Sequence, residues 1–187
     1  MPVPDPLAEQ AVAGNAPVAA PENAGKLLFD LSEIDLNACA LDQAALRRFL
    51  PHRGIMMLLD AVVWASDDYT CCVGVKRVRD DEFWVPGHFP EKALFPGVLM
   101  VETAAQLACY AYNVRRPHPV LSAFMRIDDC VFRSAVSPGD TLHILCRDVK
   151  WSMRRFISDV QGVVGSRIAF EAKLSGLSLG DAKLVDH

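Results

Sequence analysis

The chemistry-bearing residues of this chain gather within a short stretch around position 95. His88 lies in the loop V-P-G-H-F-P-E-K-A-L-F-P-G, residues 85 to 97, whose prolines and glycines allow order without a strand or helix. An imidazole of ordinary pKa near 6.5 is the natural general base at neutral pH. Glu102 and Gln106 lie four apart, hence on one face of any helix that holds them, in an otherwise apolar segment. Burial favours the neutral form of a carboxyl and raises it above about 4.3, so a buried Glu102 is expected either to take up a proton, which it can then give to a leaving group, or to find a partner. Gly97 stands where that helix begins. First-turn amides lack intrahelical acceptors there, and they can hold a developing oxyanion. Each residue also has a plainer reading taken singly: a packing histidine, a glutamate paired with an arginine or a local amide, a helix-start glycine. Together, a base, an acid and an oxyanion donor are what β-elimination next to a thioester needs.

These residues must be positioned by a small number of elements. Pro96 suits the first turn of a helix, and Pro117 closes the pattern, so a helix is expected from Pro96 to about Asn113. Its run V-L-M-V-E-T-A-A-Q-L-A-C-Y-A-Y is apolar almost all round, which requires burial. Strands are expected at 57 to 65, 70 to 78, 141 to 149 and 154 to 161. The clearest spans Arg167 to Ser175, where Ile168, Phe170, Ala172 and Leu174 alternate with mostly polar residues. Asp42 is a candidate cap for a short helix carrying Leu46, Phe49 and Leu50. One buried helix among antiparallel strands points to an α+β fold with the sheet curled around it. Residues 1 to 25 are rich in Ala, Pro and acids and are expected to form a disordered tail; 26 to 40 regain apolar residues and read as a partly ordered extension; 41 to 187 form the domain.

The order and spacing of L-P-H-R at 50 to 53, G-H-F-P at 87 to 90, F-P-G-V-L at 95 to 99, E-T-A-A-Q at 102 to 106 and V-S-P-G-D at 136 to 140 resemble the 3-hydroxyacyl-[acyl-carrier-protein] dehydratases of the FabZ type, which have the hotdog fold. The resemblance covers about Leu41 to Leu177. It implies an antiparallel β-sheet wrapped around a long central α-helix, with His88 taking the α-proton and Glu102 protonating the departing hydroxyl. It further implies that the Gly97 amide polarises the thioester carbonyl and that Gln106 is the glutamine beside the acid. The implied substrate is an acyl thioester on the phosphopantetheine arm of acyl carrier protein, with no other cofactor. The implied assembly is a homodimer with histidine and acid from opposite subunits, or a trimer of such dimers. A glutamate rather than an aspartate as the acid favours dehydration without isomerisation. The loop departs from the usual G-H-F-P-G-x-P at Glu91 and Ala93, and Gly54 and Ile55 stand where Tyr-Pro is common.

Phe89, Phe95, Met100 and Phe124 are candidate acyl-tunnel residues, with core packing as the alternative. His52 and Arg53 of P-H-R are read as structural. Lys76, Arg77 and Arg79, or Arg154 and Arg155, could dock an acidic carrier. Two rival functions fit the same fold: a thioesterase, and a non-catalytic acyl-thioester sensor. Composition excludes other classes. Acids outnumber bases seven to one up to Ala45, and beyond it sixteen acids face eighteen bases, too even a balance for a nucleic-acid surface. The six cysteines show no metal spacing and read as reduced thiols. Neither a membrane span nor a secretory leader is read, so the cytoplasm is the expected compartment.

Overall fold

The computed structural model describes residues 25–182; the expected tail lies outside them but for Gly25. Asp42 caps the short helix α1 (Gln43–Leu46), its Oδ1 accepting from the Ala45 amide at 2.7 Å. The strands are β1 (Leu41–Asp42), β2 (Ala61–Ala65), β3 (Cys71–Arg77), β4 (Val120–Phe132), β5 (Thr141–Trp151), β6 (Arg155–Val164) and β7 (Arg167–Asp181). They form one seven-stranded sheet in the order β1-β2-β3-β5-β6-β7-β4, with every neighbour antiparallel. Helix α2 (Gly97–Asn113) packs across the inner face, against β3, β5, β6 and β7, which is the hotdog arrangement. None of the described helices is long and apolar enough to cross a membrane.

The helix is buried because its stripe of Met100, Val101, Ala104, Leu107, Ala108 and Ala111 meets Leu142, Ile144, Phe170 and Leu174 from the sheet. Small residues on α2 let the strands come close. On β7 the expected alternation holds for Ile168, Phe170, Ala172 and Leu174, but Ala169 is also fully buried, because the backbone of Arg133 and Ser134 folds back onto its carbonyl. Strands β2 and β3 are apolar on both faces rather than alternating. Their outer face, with Ala61, Val63, Val73 and Val75, is covered by Phe29, Leu31, Ile34 and Leu36. Gln161 and Arg147 tie this covering segment down through the Lys26 and Leu28 backbone.

Two expectations need correction. The expected strand at 57 to 65 begins only at Ala61, because 57 to 59 are held by α2 instead of by a neighbouring strand. The long edge strand β4 was not anticipated: Arg126, Asp128 and Asp129 interrupt its apolar pattern, and register shifts break its pairing to β7 at three places.

Where β6 faces β7, Gly162 admits the ring of Phe170: a Cβ there would stand 2.3 Å from that ring and 3.2 Å from Leu142, and both side chains are fully buried. Gly162→Ala is expected to destabilise the fold by about 1–3 kcal/mol through overpacking, measured as a lower urea midpoint at unchanged slope.

Candidate active site

The loop after β3 presents His88. It is anchored at its start by Lys76 and Glu82, both almost fully buried and 2.9 Å apart, and by the Arg79 amide donating to Glu82. The amides of Gly87 and His88 donate to the Trp84 carbonyl, and the Trp84 ring stacks on Phe95 at 5.5 Å. Phe89 is held at φ +58, a costly conformation for a residue with a Cβ, with its ring 4.2 Å from the imidazole. His88 Nδ1 lies 2.8 Å from the Leu94 carbonyl oxygen, which can only accept. The proton therefore sits on Nδ1, and the Nε2 lone pair is left to act as base.

His88 and Gly97 line one open cavity of about 510 Å³ together with Phe89, Phe95, Met100 and Phe132. Pro96 caps α2 without a side-chain hydrogen bond; the Leu99 and Met100 amides turn back to the Pro96 carbonyl, which leaves those of Gly97 and Val98 to carry the positive end of the helix. A Cβ on Gly97 would stand 2.7 Å from the Phe132 ring, so glycine lets this half-exposed ring lie against the start of the helix. Phe89 is exposed on the rim, whereas Phe95 is a core residue whose edge reaches the cavity.

One turn into α2, Glu102 faces a second cavity of about 120 Å³, lined by His52, Ala105, Cys109, Phe124, Phe156 and Leu174 among others. Its Oε1 lies 3.2 Å from His52 Nε2 and accepts from Gln106 Nε2 at 3.0 Å. Burial pushes the Glu102 carboxyl up, but the hydrogen bonds from His52 and Gln106, with the electrostatic attraction of His52, outweigh it and hold the group below the usual glutamate value. Of the two outcomes expected for a carboxyl withdrawn from water, a proton or a partner, the structure shows the second: the half-buried group has partners, and they favour its anion. Within one chain no contact joins His88 to Glu102; among the described residues they line different cavities.

Gln106 is fully buried with all four hydrogen-bonding positions filled. Its Oε1 accepts from the Leu58 and Leu59 amides at 3.0 and 3.1 Å, and its Nε2 donates to the Met56 carbonyl at 2.7 Å as well as to Glu102. It pins the segment after P-H-R to the helix. Arg53 donates to the carbonyls of Leu50, His52 and Arg47, a structural role as expected. His52 is the site residue that sequence reasoning underestimated. The signal was the P-H-R motif, which carries no helical or strand spacing relative to Glu102. Cys109 borders the acid's cavity, but burial pushes its thiol up to about 12, so it is no nucleophile. Of the expected docking clusters, Lys76 is consumed by Glu82, and Arg79 pairs with Asp81 at 2.9 Å. Arg154 and Arg155 are exposed.

Replacing Gln106 with Leu would leave the Leu58 and Leu59 amides and the Met56 carbonyl without partners. At about 1–3 kcal/mol for each buried group so orphaned, a loss of at least about 2 kcal/mol is expected in chemical denaturation.

Comparison with known proteins agrees with this geometry. The model of the FabA-like domain matches residues 50–173. The chain is 37% identical to the 3-hydroxyacyl-[acyl-carrier-protein] dehydratase FabZ of Caldanaerobacter subterraneus, over 72% of this chain and 95% of that one. It is 36% identical to the bifunctional enzyme LpxC/FabZ of Porphyromonas gingivalis, over 71% of this chain but only 29% of that longer protein. Among solved structures, the dehydratase heterocomplex ApeI:P from Xenorhabdus doucetiae superposes with a TM-score of 0.64 at 18% identity, covering 72% of this chain and 91% of that one. A hypothetical thioesterase from Streptococcus pneumoniae superposes at 0.51 with 12% identity, covering 65% and 87%. These superpositions speak to the fold, which both proteins share. The sequence relatives speak to the branch, and by them this chain belongs to the FabZ-type dehydratase family of hotdog proteins.

Proposed function

We propose that the protein is a hydro-lyase that converts (3R)-3-hydroxyacyl-acyl carrier protein to the trans-2-enoyl thioester and water, in fatty acid or related lipid biosynthesis. The observation that carries this reading is the single hydrogen bond from His88 Nδ1 to Leu94, which bares Nε2 inside a cavity shared with the start of α2. Nε2 takes the α-proton, and the electron pair moves toward the thioester carbonyl, whose oxygen the Gly97 amide holds. As the enolate collapses, the C–O bond at C3 breaks and Glu102 supplies the proton that makes the leaving group water. The substrate is carried on the phosphopantetheine arm of acyl carrier protein, and no further cofactor takes part.

A substrate spanning both cavities requires two copies of the chain. Strand β4 is the open end of the sheet and exposes Leu121, Phe124, Met125, Ile127, Val131 and Phe132, an apolar edge that calls for a partner. One end of β4 lines the Glu102 cavity through Ser122 and Phe124, the other lines the His88 cavity through Phe132. Antiparallel pairing of β4 with its copy about a two-fold axis lays one end against the other, so the base of one protomer meets the acid of the next. Trimers of such dimers are compatible with this pairing. The carrier docks on Arg154 and Arg155: Arg155 borders a depression that shares Ser175 and Gly176 with the acid's cavity.

His88→Ala and Glu102→Gln are each expected to lose at least about 2 orders of magnitude in kcat on 3-hydroxyacyl-carrier substrates, followed by mass spectrometry. Dissociating and reassociating a mixture of the two variants should restore about a quarter of wild-type activity, since about half of the dimers then hold one intact site. No recovery from a mixture that has reassembled would mean that base and acid come from the same copy. Release of free acid would mark a thioesterase, and binding without turnover a sensor.

Reversing Arg154 and Arg155 to glutamate is expected to raise KM for carrier-bound substrate several-fold, with kcat and the KM for a small thioester unchanged. An unchanged carrier KM would remove these residues from the docking surface.

A further inference from the structure

We propose that His52 is a positioning residue for the acid: its Nε2–H, with that of Gln106, occupies Glu102 Oε1, so the catalytic proton is carried and delivered on Oε2. This rests on the dehydratase reading above and adds a residue to it.

Three observations carry it. His52 Nε2 lies 3.2 Å from Oε1, the same oxygen that accepts from Gln106. With two donors on one oxygen, the proton that neutralises the carboxyl has Oε2 as its place. Second, His52 Nδ1 is buried with no hydrogen-bond partner. A neutral ring protonated on Nε2 leaves only a bare lone pair at Nδ1, whereas the other tautomer would bury an unmatched N–H there and turn a lone pair toward the carboxylate. The surroundings thus select the tautomer that donates to Glu102. Third, the ring has a fixed mount. Arg53 donates to the carbonyls of both His52 and Leu50, and Gln106 holds the chain at Met56, Leu58 and Leu59.

Within one chain few other groups compete for the carboxyl. From α2 the cavity receives Cys109, from β4 Ser122, from β6 Phe156 and from β7 Ser175; among the described residues no other carboxylate or cation lines it. When Glu102 gives up its proton, the charge left behind spreads onto an oxygen already held by two N–H groups. His52 therefore stabilises the acid's conjugate base at the moment it forms, without touching substrate. Gln106 alone supplies half of that contact, which explains why a buried, well-hydrogen-bonded amide stands beside an imidazole rather than replacing it.

The test compares wild type, His52→Ala and His52→Gln, since a glutamine Nε2 can stand where the imidazole Nε2 stood. The Glu102 carboxyl is titrated by NMR with ¹³C-labelled glutamate, its signal assigned as the one missing from Glu102→Gln. Loss of the donor should raise its midpoint by about one unit, a tenfold change in proton affinity. Activity requires protonated Glu102, so the alkaline limb of the kcat profile should move up in pH by a similar amount. The kcat plateau should fall about tenfold at nearly unchanged KM. His52→Gln should recover both midpoint and plateau. A midpoint and alkaline limb unmoved in His52→Ala would overturn the proposal while leaving the dehydratase reading intact, provided wild type still turns over. Failure of His52→Gln to recover either would also overturn it, because the imidazole would then act by more than its N–H. A wild type that dehydrates nothing would sink the dehydratase reading, and the role of His52 with it.

Discussion

Burying α2 inside the curled sheet is the constraint on which the rest of this molecule depends. An apolar helix loses nothing by entering the core, but Glu102 and Gln106 enter with it, and polar groups removed from water must find partners. Gln106 meets that demand by binding three backbone groups of the segment after P-H-R. The segment is thereby drawn away from strand pairing and onto the helix. His52, a few residues upstream, is carried to the carboxylate. The buried amide thus organises the acid's surroundings before any substrate arrives.

The candidate base is built on a different principle. His88 sits on a loop stapled at one end by the buried Lys76–Glu82 pair and at the other by the start of α2. Removing either member of such a pair leaves an uncompensated buried charge, so the staple is stiff although its net contribution to stability is small. Its stiffness supports the strained backbone of Phe89 and the single tautomer of His88. Glu102 and His88 are therefore each held in place on separate cavities, and one edge strand borders both. An unpaired apolar edge is normally a liability. Here its two ends line the two cavities, which the proposed pairing would join into one site.

Much of this was legible in the sequence, for identifiable reasons. The helix announced itself by Pro96, by an apolar run too continuous for a surface helix, and by Pro117. Strand β7 announced itself by alternation. Strand β4 did not, because most of its residues are exposed on both faces, so neither shows a clean period and bulges shift what period there is. The outer apolar face of β2 and β3 was explicable only once Phe29, Leu31, Ile34 and Leu36 were seen to cover it. Gly97, Gln106 and the two candidate catalytic residues were found by type and spacing. His52 escaped, because its proximity to Glu102 is created by the fold of an irregular segment, which has no period to read.

The state of Glu102 shows where sequence reasoning about a single residue fails. Burial was foreseen and its sign was right: desolvation does push this carboxyl up. A partner was the alternative outcome, but it is His52 and Gln106 rather than an arginine that take the place, and they push the carboxyl down further. An acid held in its anionic form looks ill-suited to give up a proton, yet the same contacts lower the energy of the anion that donation creates. The two requirements are reconciled if the resting chain keeps Glu102 solvated on one side and the bound acyl chain removes that water. Desolvation then grows while the hydrogen bonds stay fixed, so proton affinity rises on binding and falls back when the product leaves. The small cavity beside Glu102, with apolar walls from Phe124, Phe156 and Leu174, is a geometry in which a change in solvation acts strongly on one carboxyl.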